Sequence, residues 1–91
     1  MKRLRAIISG RVQGVGYRAA VQKRIMLIDG ATGFIKNLPD GTVEIVTEGP
    51  EHIFEAVLDI AREGSFWSSV DEIDTEYGSA KGSFTEFTIE Y

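Results

Sequence analysis

Gly10-Arg-Val-Gln-Gly-Val-Gly-Tyr-Arg18, called the glycine loop below, joins an apolar run to a stretch with helical spacing. Its closely spaced glycines allow backbone angles that other residues avoid, so several N–H groups can turn toward one point. A helix that follows adds the positive end of its dipole, and this combination binds tetrahedral anions. Arg18 adds a planar, charged fork that can grip two phosphate oxygens. The stretch therefore predicts an anion site between a strand and a helix.

The residues on both sides of the glycine loop follow the periods of regular secondary structure. Apolar and polar residues alternate over 3–10, which predicts a half-buried first strand. Apolar residues then recur near helical spacing over 17–27, and Asp29-Gly30 supplies the glycine expected just past a helix end. The loop thus leads directly into a helix N-terminus, as the anion site requires.

The rest of the chain predicts a hairpin, a second helix and two further strands. Pro39-Asp40-Gly41 is a strong turn signal between two strands, although Val46 interrupts the alternation of the second one. The predicted elements are strands at 32–37, 42–48, 70–77 and 84–91 and a helix at 53–63, with a flexible connection at 78–83. This order is the split βαβ pattern of the α+β ferredoxin-like fold, an antiparallel sheet with two helices on one face, here with an extra short C-terminal strand.

Length and composition indicate a single small domain covering residues 1–91. The chain has no cysteine and shows neither a signal peptide nor a membrane-spanning run, so we expect a cytoplasmic protein without a membrane partner. Ten basic and fourteen acidic residues give a net charge of −4, which repels polyanions. Nucleic acid is therefore not an expected partner, although one basic pocket could hold a small anion.

Conventional catalytic side chains are scarce in this sequence. Without cysteine and with His52 as the one histidine, the chain can form neither a thiol–histidine pair nor a cluster of soft metal ligands. We expect His52 to be a solvated surface residue. Asp71 and Glu72 are a weak candidate for a hard metal ion, but the acidic residues of this strand more simply form its solvent face. No metal site is predicted.

Read together with Gly33-Phe-Ile-Lys-Asn37-Leu-Pro-Asp-Gly41, the glycine loop resembles the two signature segments of the acylphosphatases, and the similarity extends along nearly all of the chain. The resemblance implies the ferredoxin-like fold and hydrolysis of the carboxyl–phosphate bond of small acyl phosphates, with inorganic phosphate as a product. It implies no metal or organic cofactor, and we expect a monomer. The scarcity of catalytic groups is consistent with such a substrate, because a carboxylate with a pKa of about 4 leaves without a proton donor.

The resemblance also assigns roles to individual residues. Arg18 and Asn37 are the catalytic residues: Arg18 and the backbone N–H groups from Val15 to Arg18 hold the phosphate, and Asn37 orients the attacking water. Gln13 and Gly14 shape the cup. The residues expected to bind the substrate phosphate are Gln13, Gly14, Val15, Gly16, Tyr17 and Arg18.

Several residues keep two interpretations. By residue type alone, Asn37 is more often an asparagine that bonds the backbone of its own turn. Arg11 is either a solvated charge at a strand end or a substrate contact. Phe66-Trp67 is either a lid over the core or an apolar rim for the acyl group. Two features depart from the family pattern: Ala19 and Ala20 replace bulky aromatic residues, and the loop over 66–69 lacks the usual proline and glycine. These departures concern packing and acyl preference.

Two other functions remain open at this point. Acylphosphatase-like domains also occur within larger carbamoyl-transferring maturation proteins, so a non-catalytic anion-binding module is the main alternative. Ferredoxin-like folds also carry RNA-binding domains, but these need exposed aromatic residues on the sheet, and the strand over 42–48 has none. The identity of the physiological acyl phosphate is not encoded in a recognisable motif.

Overall fold

The computed structural model describes residues 1–91, which form five strands and two helices. The elements are β1 (Lys2–Arg11), α1 (Tyr17–Ile25), β2 (Thr32–Asn37), β3 (Val43–Gly49), α2 (Phe54–Glu63), β4 (Ser69–Ser79) and β5 (Phe87–Glu90), with a single 3₁₀ turn, Glu51–Ile53, leading into α2. The strands form one sheet in the order β4-β1-β3-β2-β5. The predicted ferredoxin-like order of elements is confirmed.

The fifth strand makes the sheet mixed, whereas the sequence predicted an antiparallel sheet. The pairs β1–β3, β1–β4 and β2–β3 are antiparallel. In contrast, β5 pairs parallel with β2, and Ile35 lies opposite Ile89. A parallel strand has to be reached by a crossover, and residues 80–86 supply it by running from one edge of the sheet to the other. The same topology places the ends of β1 and β2 and the start of β4 at the same end of the sheet.

The core lies between the helix-facing side of the sheet and the two helices. Alternate strand residues such as Leu4, Ala6 and Ile8 are completely buried, because a period of two directs them all to this side. The helices contribute residues at helical spacing, including Val21 from α1 and Val57 from α2. Seventeen buried residues form this single cluster, so one hydrophobic core stabilises the whole chain.

Helix α1 ends at Ile25, two residues before the predicted end at Leu27. The backbone N–H of Leu27 binds the carbonyl of Arg24 at 3.2 Å, and that of Ile28 binds the carbonyl of Ile25 at 2.9 Å. These i to i+3 bonds tighten the last turn into 3₁₀ geometry, which helix periodicity does not distinguish from α. Neither α1 nor α2 has the length and apolarity needed to cross a membrane.

The connection between β4 and β5 is bound to the sheet through Glu48. This carboxylate is only 4% exposed and accepts hydrogen bonds from the backbone N–H groups of Lys81 at 2.9 Å and Gly82 at 3.0 Å. The Arg3 guanidinium lies 3.9 Å away. Bonds from a backbone N–H to an ionised carboxylate are among the stronger hydrogen bonds. The predicted connection over 78–83 therefore begins two residues too early, since β4 continues to Ser79, and Glu48 binds two of the residues that follow.

The same connection covers apolar residues on the outer face of the sheet. Phe84 packs against Phe34 with ring centroids 5.9 Å apart, and Phe34 pairs across the strands with Val46. Val46 is completely buried although it points away from the helices. The break in the sequence alternation at Val46 is thus explained by a second, small apolar contact on the outer face.

Candidate active site

The glycine loop lies between the end of β1 at Arg11 and the start of α1 at Tyr17. Gly14 and Gly16 have φ angles of 73° and 75°, and a Cβ atom at either position would meet nothing within 4 Å. Glycine is therefore required at these positions because the backbone is left-handed. A larger side chain would meet no steric clash there. These two left-handed residues turn the chain from β1 into the first turn of α1.

None of the backbone N–H groups of residues 12–19 has a partner in the protein. The N–H groups of residues 15–18 bind no carbonyl or side chain, and the first bond of the helix is that of the Ala20 N–H to the Gly16 carbonyl. The helix N-terminus has no side-chain cap, and its first turn contains no acidic residue. Unpaired donors at a helix N-terminus attract anions, and no carboxylate in this turn competes for them.

Arg18 lies in the first turn of α1 and forms no ion pair or hydrogen bond with the protein. Its guanidinium carbon is 5.0 Å from the ring centroid of Tyr91, at a distance typical of a cation–π contact. The two residues border a cleft of about 150 Å³, lined by Val12, Gly14, Gly16, Tyr17, Arg18, Ala19, Ile89 and Tyr91. The Tyr91 ring is itself 99% exposed, so it lies beside the guanidinium without enclosing it, and the hydrogen-bond donors of Arg18 are all free for a ligand.

Asn37 is the last residue of β2 and projects from the helix-facing side, since it pairs with the buried Val43. Its Oδ1 atom is the one buried side-chain polar atom in the protein that has no hydrogen-bond partner. An unpaired buried acceptor costs free energy and calls for an explanation. Val43, which pairs with Asn37, also pairs on its other side with Ile8, near the end of β1 that leads into the glycine loop. Asn37 and Arg18 therefore border the same end of the sheet.

The alternative interpretation of Asn37 as a turn residue is wrong. Asp40 performs that role, because its carboxylate accepts hydrogen bonds from the Thr42 hydroxyl at 2.6 Å and the Thr42 N–H at 3.1 Å. These two bonds lower the pKa of the Asp40 carboxyl below its ordinary value. The hairpin is thus closed without Asn37, whose amide is left free.

Gln13 connects the glycine loop to the hairpin that carries Asn37. Its side-chain Nε2 donates to the Leu38 carbonyl at 2.8 Å and to the Thr42 carbonyl at 2.9 Å. Both amide hydrogens of Gln13 are therefore used within the protein. This contact fixes the distance between the loop and Asn37, a role that the sequence did not reveal because the acceptors are backbone atoms.

Gln13→Met is expected to lower kcat by about tenfold with little change in KM, because a small shift of Asn37 relative to the loop is costly for positioning. Losing these two hydrogen bonds should also lower the free energy of unfolding by about 1 kcal/mol, and no more, because both carbonyls keep a backbone N–H donor. Steady-state kinetics and urea unfolding measure both effects. Gln22→Met is the matched control, since it removes a similar bond to the Phe87 carbonyl on the far side of α1. Equal kcat values for the two variants would contradict the positioning role.

The other side of the glycine loop is supported by α2 and the loop after it. Tyr17 is 1% exposed, and its hydroxyl donates to the Ala61 carbonyl at 2.7 Å. Burial raises the pKa of the Tyr17 phenol well above its ordinary value, so the group is a permanent donor. The Ser65 hydroxyl donates to the Val15 carbonyl at 2.8 Å. The carbonyl side of the loop is thereby fixed, while its N–H side remains open.

The remaining candidate residues lie outside this site. His52 is exposed, as expected, and Arg11 is exposed without an ion pair. Asp71 and Glu72 belong to the exposed edge strand β4, and no group of three or more potential ligands gathers there or elsewhere in the protein. A larger cleft of about 460 Å³ borders α2 and β4, but Glu51 and Glu55 in its lining disfavour an anion.

Phe66 and Trp67 do not cover the core, so the lid interpretation is wrong. Their side chains are 88% and 69% exposed. Alanines at positions 19 and 20, where the family has bulky residues, leave Ala19 on the wall of the cleft beside Arg18. Ala19 and the aromatic side chains at 66 and 67 thus all lie on the surface.

Comparison with known proteins decides the family. The acylphosphatase family model matches residues 4–89. The chain belongs to the acylphosphatase family. An acylphosphatase from Thermus thermophilus is 43% identical over 82 residues, which cover 90% of this chain and 92% of that protein. An acylphosphatase from Methylococcus capsulatus is 40% identical over 98% of this chain and 96% of that protein. The resemblance inferred from the two signature segments is confirmed, and acylphosphatases are hydrolases.

Solved structures show the same fold. The crystal structure of acylphosphatase from Bacillus subtilis matches with a TM-score of 0.88 and 35% identity over all of both chains. The crystal structure of T. kodakarensis HypF matches all of this chain but 12% of its own length, with a TM-score of 0.81 and 32% identity. The acylphosphatase fold therefore occurs both as a chain of this size and as a part of a larger protein.

Proposed function

We propose that this acylphosphatase hydrolyses small acyl phosphates by direct, in-line attack of water on the phosphorus. One observation carries the proposal. The unpaired N–H groups of residues 15–18, the free Arg18 guanidinium and the unpaired Asn37 Oδ1 atom all lie at the same end of the sheet. The N–H groups and Arg18 suit three phosphoryl oxygens, which bear the negative charge of the transition state. The unpaired acceptor of Asn37 suits the hydrogen of a water molecule.

The proposed step needs only positioning and charge stabilisation. Asn37 Oδ1 accepts one O–H of the water, which leaves an oxygen lone pair directed at the phosphorus. The new P–O bond forms as the bond to the acyl oxygen breaks, and the carboxylate leaves with the bonding electrons. One water proton passes to the phosphate product or to solvent. A general acid is unnecessary, because the leaving carboxylate has a conjugate acid with a pKa of about 4.

Purified protein should hydrolyse acetyl phosphate and benzoyl phosphate in excess EDTA and leave a phosphate monoester intact, because an alkoxide does not leave without a proton donor. Release of inorganic phosphate measures the result. Hydrolysis that EDTA abolishes would contradict the proposed mechanism. Saturable phosphate binding without any turnover would favour the second candidate, a non-catalytic anion-binding module.

We further propose that residues 1–91 act as one domain and as a cytoplasmic monomer. A single core of seventeen buried residues supports one domain, and a site built entirely from one chain supports a monomer. The absence of cysteine supports a reducing compartment.

A further inference from the structure

The segment 64–68, called the aromatic loop below, exposes two large aromatic rings beside one another. Phe66 and Trp67 are 88% and 69% exposed, and their ring centroids lie 4.8 Å apart in an edge-to-face arrangement. The two rings add little to the core, yet they present a continuous apolar surface to solvent. Such an exposed aromatic pair is typical of a binding surface.

The aromatic loop has a fixed conformation. The Ser68 hydroxyl accepts a hydrogen bond from the Ser65 N–H at 2.8 Å and donates to the Ser65 carbonyl at 3.0 Å. The Ser68 N–H donates to the same carbonyl at 3.2 Å. The two rings are thus carried by a closed turn, and a ligand that contacts them would not have to order the backbone first.

Three contacts join the aromatic loop to the glycine loop. The Ser65 hydroxyl binds the Val15 carbonyl at 2.8 Å, and Ser69 pairs with Arg11 at the end of β1. Gly64 lies so close to the Tyr17 ring that a Cβ atom would be 2.8 Å from it. The aromatic pair therefore stands on the same rigid support as the N–H groups proposed to hold the phosphate.

The sheet order places the aromatic loop opposite Asn37. The glycine loop extends from the end of β1. On one side of β1 lies β2, which ends in Asn37. On the other side lies β4, which follows the aromatic loop. In-line displacement requires the attacking water and the leaving group on opposite sides of the phosphorus. A water held by Asn37 therefore directs the leaving carboxylate toward β4.

We propose that Phe66 and Trp67 receive the acyl group of the substrate and favour aromatic over small aliphatic acyl phosphates. The inference rests on the proposed function, because it uses Asn37 as the water-binding residue. It identifies aromatic acyl phosphates as the preferred substrate class, and it makes Phe66 and Trp67 specificity-determining residues that take no part in the chemical step.

The first test compares kcat/KM for benzoyl phosphate with that for acetyl phosphate. Phe66→Ala and Trp67→Ala should each lower the benzoyl to acetyl ratio by about three- to tenfold, the effect of losing one aromatic contact. Comparing variants cancels the intrinsic reactivity of the two substrates. Leu27→Ala, which removes an 80% exposed apolar side chain beyond the other end of α1, is the matched control and should keep the ratio. Unchanged ratios in both aromatic variants would overturn the proposal.

The second test needs no turnover, because Trp67 is the single tryptophan of the chain. Phenacylphosphonate and acetonylphosphonate carry a CH₂ group in place of the scissile oxygen and cannot be hydrolysed at that position. Saturation with phenacylphosphonate should change the Trp67 emission, whereas acetonylphosphonate should leave it nearly constant. If neither acyl phosphate is hydrolysed but phenacylphosphonate still gives this response, the proposed function fails, whereas the proposal that Phe66 and Trp67 bind the acyl group stands. Rapid hydrolysis with equal emission responses to both phosphonates would overturn only the proposal that Phe66 and Trp67 bind the acyl group.

Discussion

Arg18→Ala is expected to lower kcat/KM for acetyl phosphate by about three orders of magnitude, comparable to the loss of an arginine that stabilises phosphoryl transfer. The guanidinium has no other partner than the Tyr91 ring, so the substitution removes a ligand contact and breaks no ion pair. Inhibition by inorganic phosphate should weaken in parallel. Initial rates and phosphate inhibition constants measure both effects.

Arg11→Ala is the matched control for Arg18→Ala. Arg11 lies in the same loop and its removal changes the net charge equally, but its side chain is exposed and has no ion pair. We expect a change of less than about threefold, since an exposed charge is screened by solvent and salt. Equal losses in the two variants would show that general electrostatic attraction, and not a specific grip by Arg18, concentrates the substrate.

Asn37→Ala is expected to lower kcat by at least about 100-fold while KM and phosphate inhibition change little, because the water and not the phosphate loses its partner. The same substitution deletes the unpaired buried Oδ1 atom. Stability should therefore be retained or rise by about 1 kcal/mol, which is the opposite of what a structural asparagine would show. Single-turnover kinetics and urea unfolding measure the two effects.

Thr42→Ala is the contrasting variant for Asn37→Ala. It removes the hydroxyl that binds Asp40 at 2.6 Å in the adjacent turn, so it should lower the free energy of unfolding and leave kcat nearly unchanged. An Asn37→Ala protein with normal kcat would contradict the water-positioning role. An Asn37→Ala protein that is strongly destabilised would show that the amide has a structural partner.

Local patterns predicted most of the fold because they depend on neighbours in the sequence. Alternation identified β1, the Pro39-Asp40-Gly41 turn identified the hairpin, and the glycines at 14 and 16 identified a left-handed loop before a helix. Each of these signals has a short-range cause, either steric or periodic. The order of elements then restricted the topology to the ferredoxin-like arrangement.

The incorrect predictions concern residues whose environment comes from distant parts of the chain. The segment 78–83 is rich in small residues, but Glu48, which holds it, lies on β3. A lid over the core was one interpretation of Phe66 and Trp67, yet both side chains, which lie within the turn closed by Ser65 and Ser68, are exposed to solvent. The composition of a segment indicates its local conformational preference, whereas its burial and hydrogen bonds depend on contacts with distant parts of the chain.

The family, the order of the elements and the two residues proposed for catalysis could all be predicted before folding was considered, because two signature segments and short-range periodicity carry that information. Three features could be seen only in the folded chain: Gln13 binds the hairpin from the glycine loop, Tyr91 lies beside the Arg18 guanidinium, and Asn37 keeps an unpaired oxygen. The reason is physical: a hydrogen bond to a backbone carbonyl or a contact with a ring depends on where the sheet brings distant atoms, and no local pattern encodes that distance.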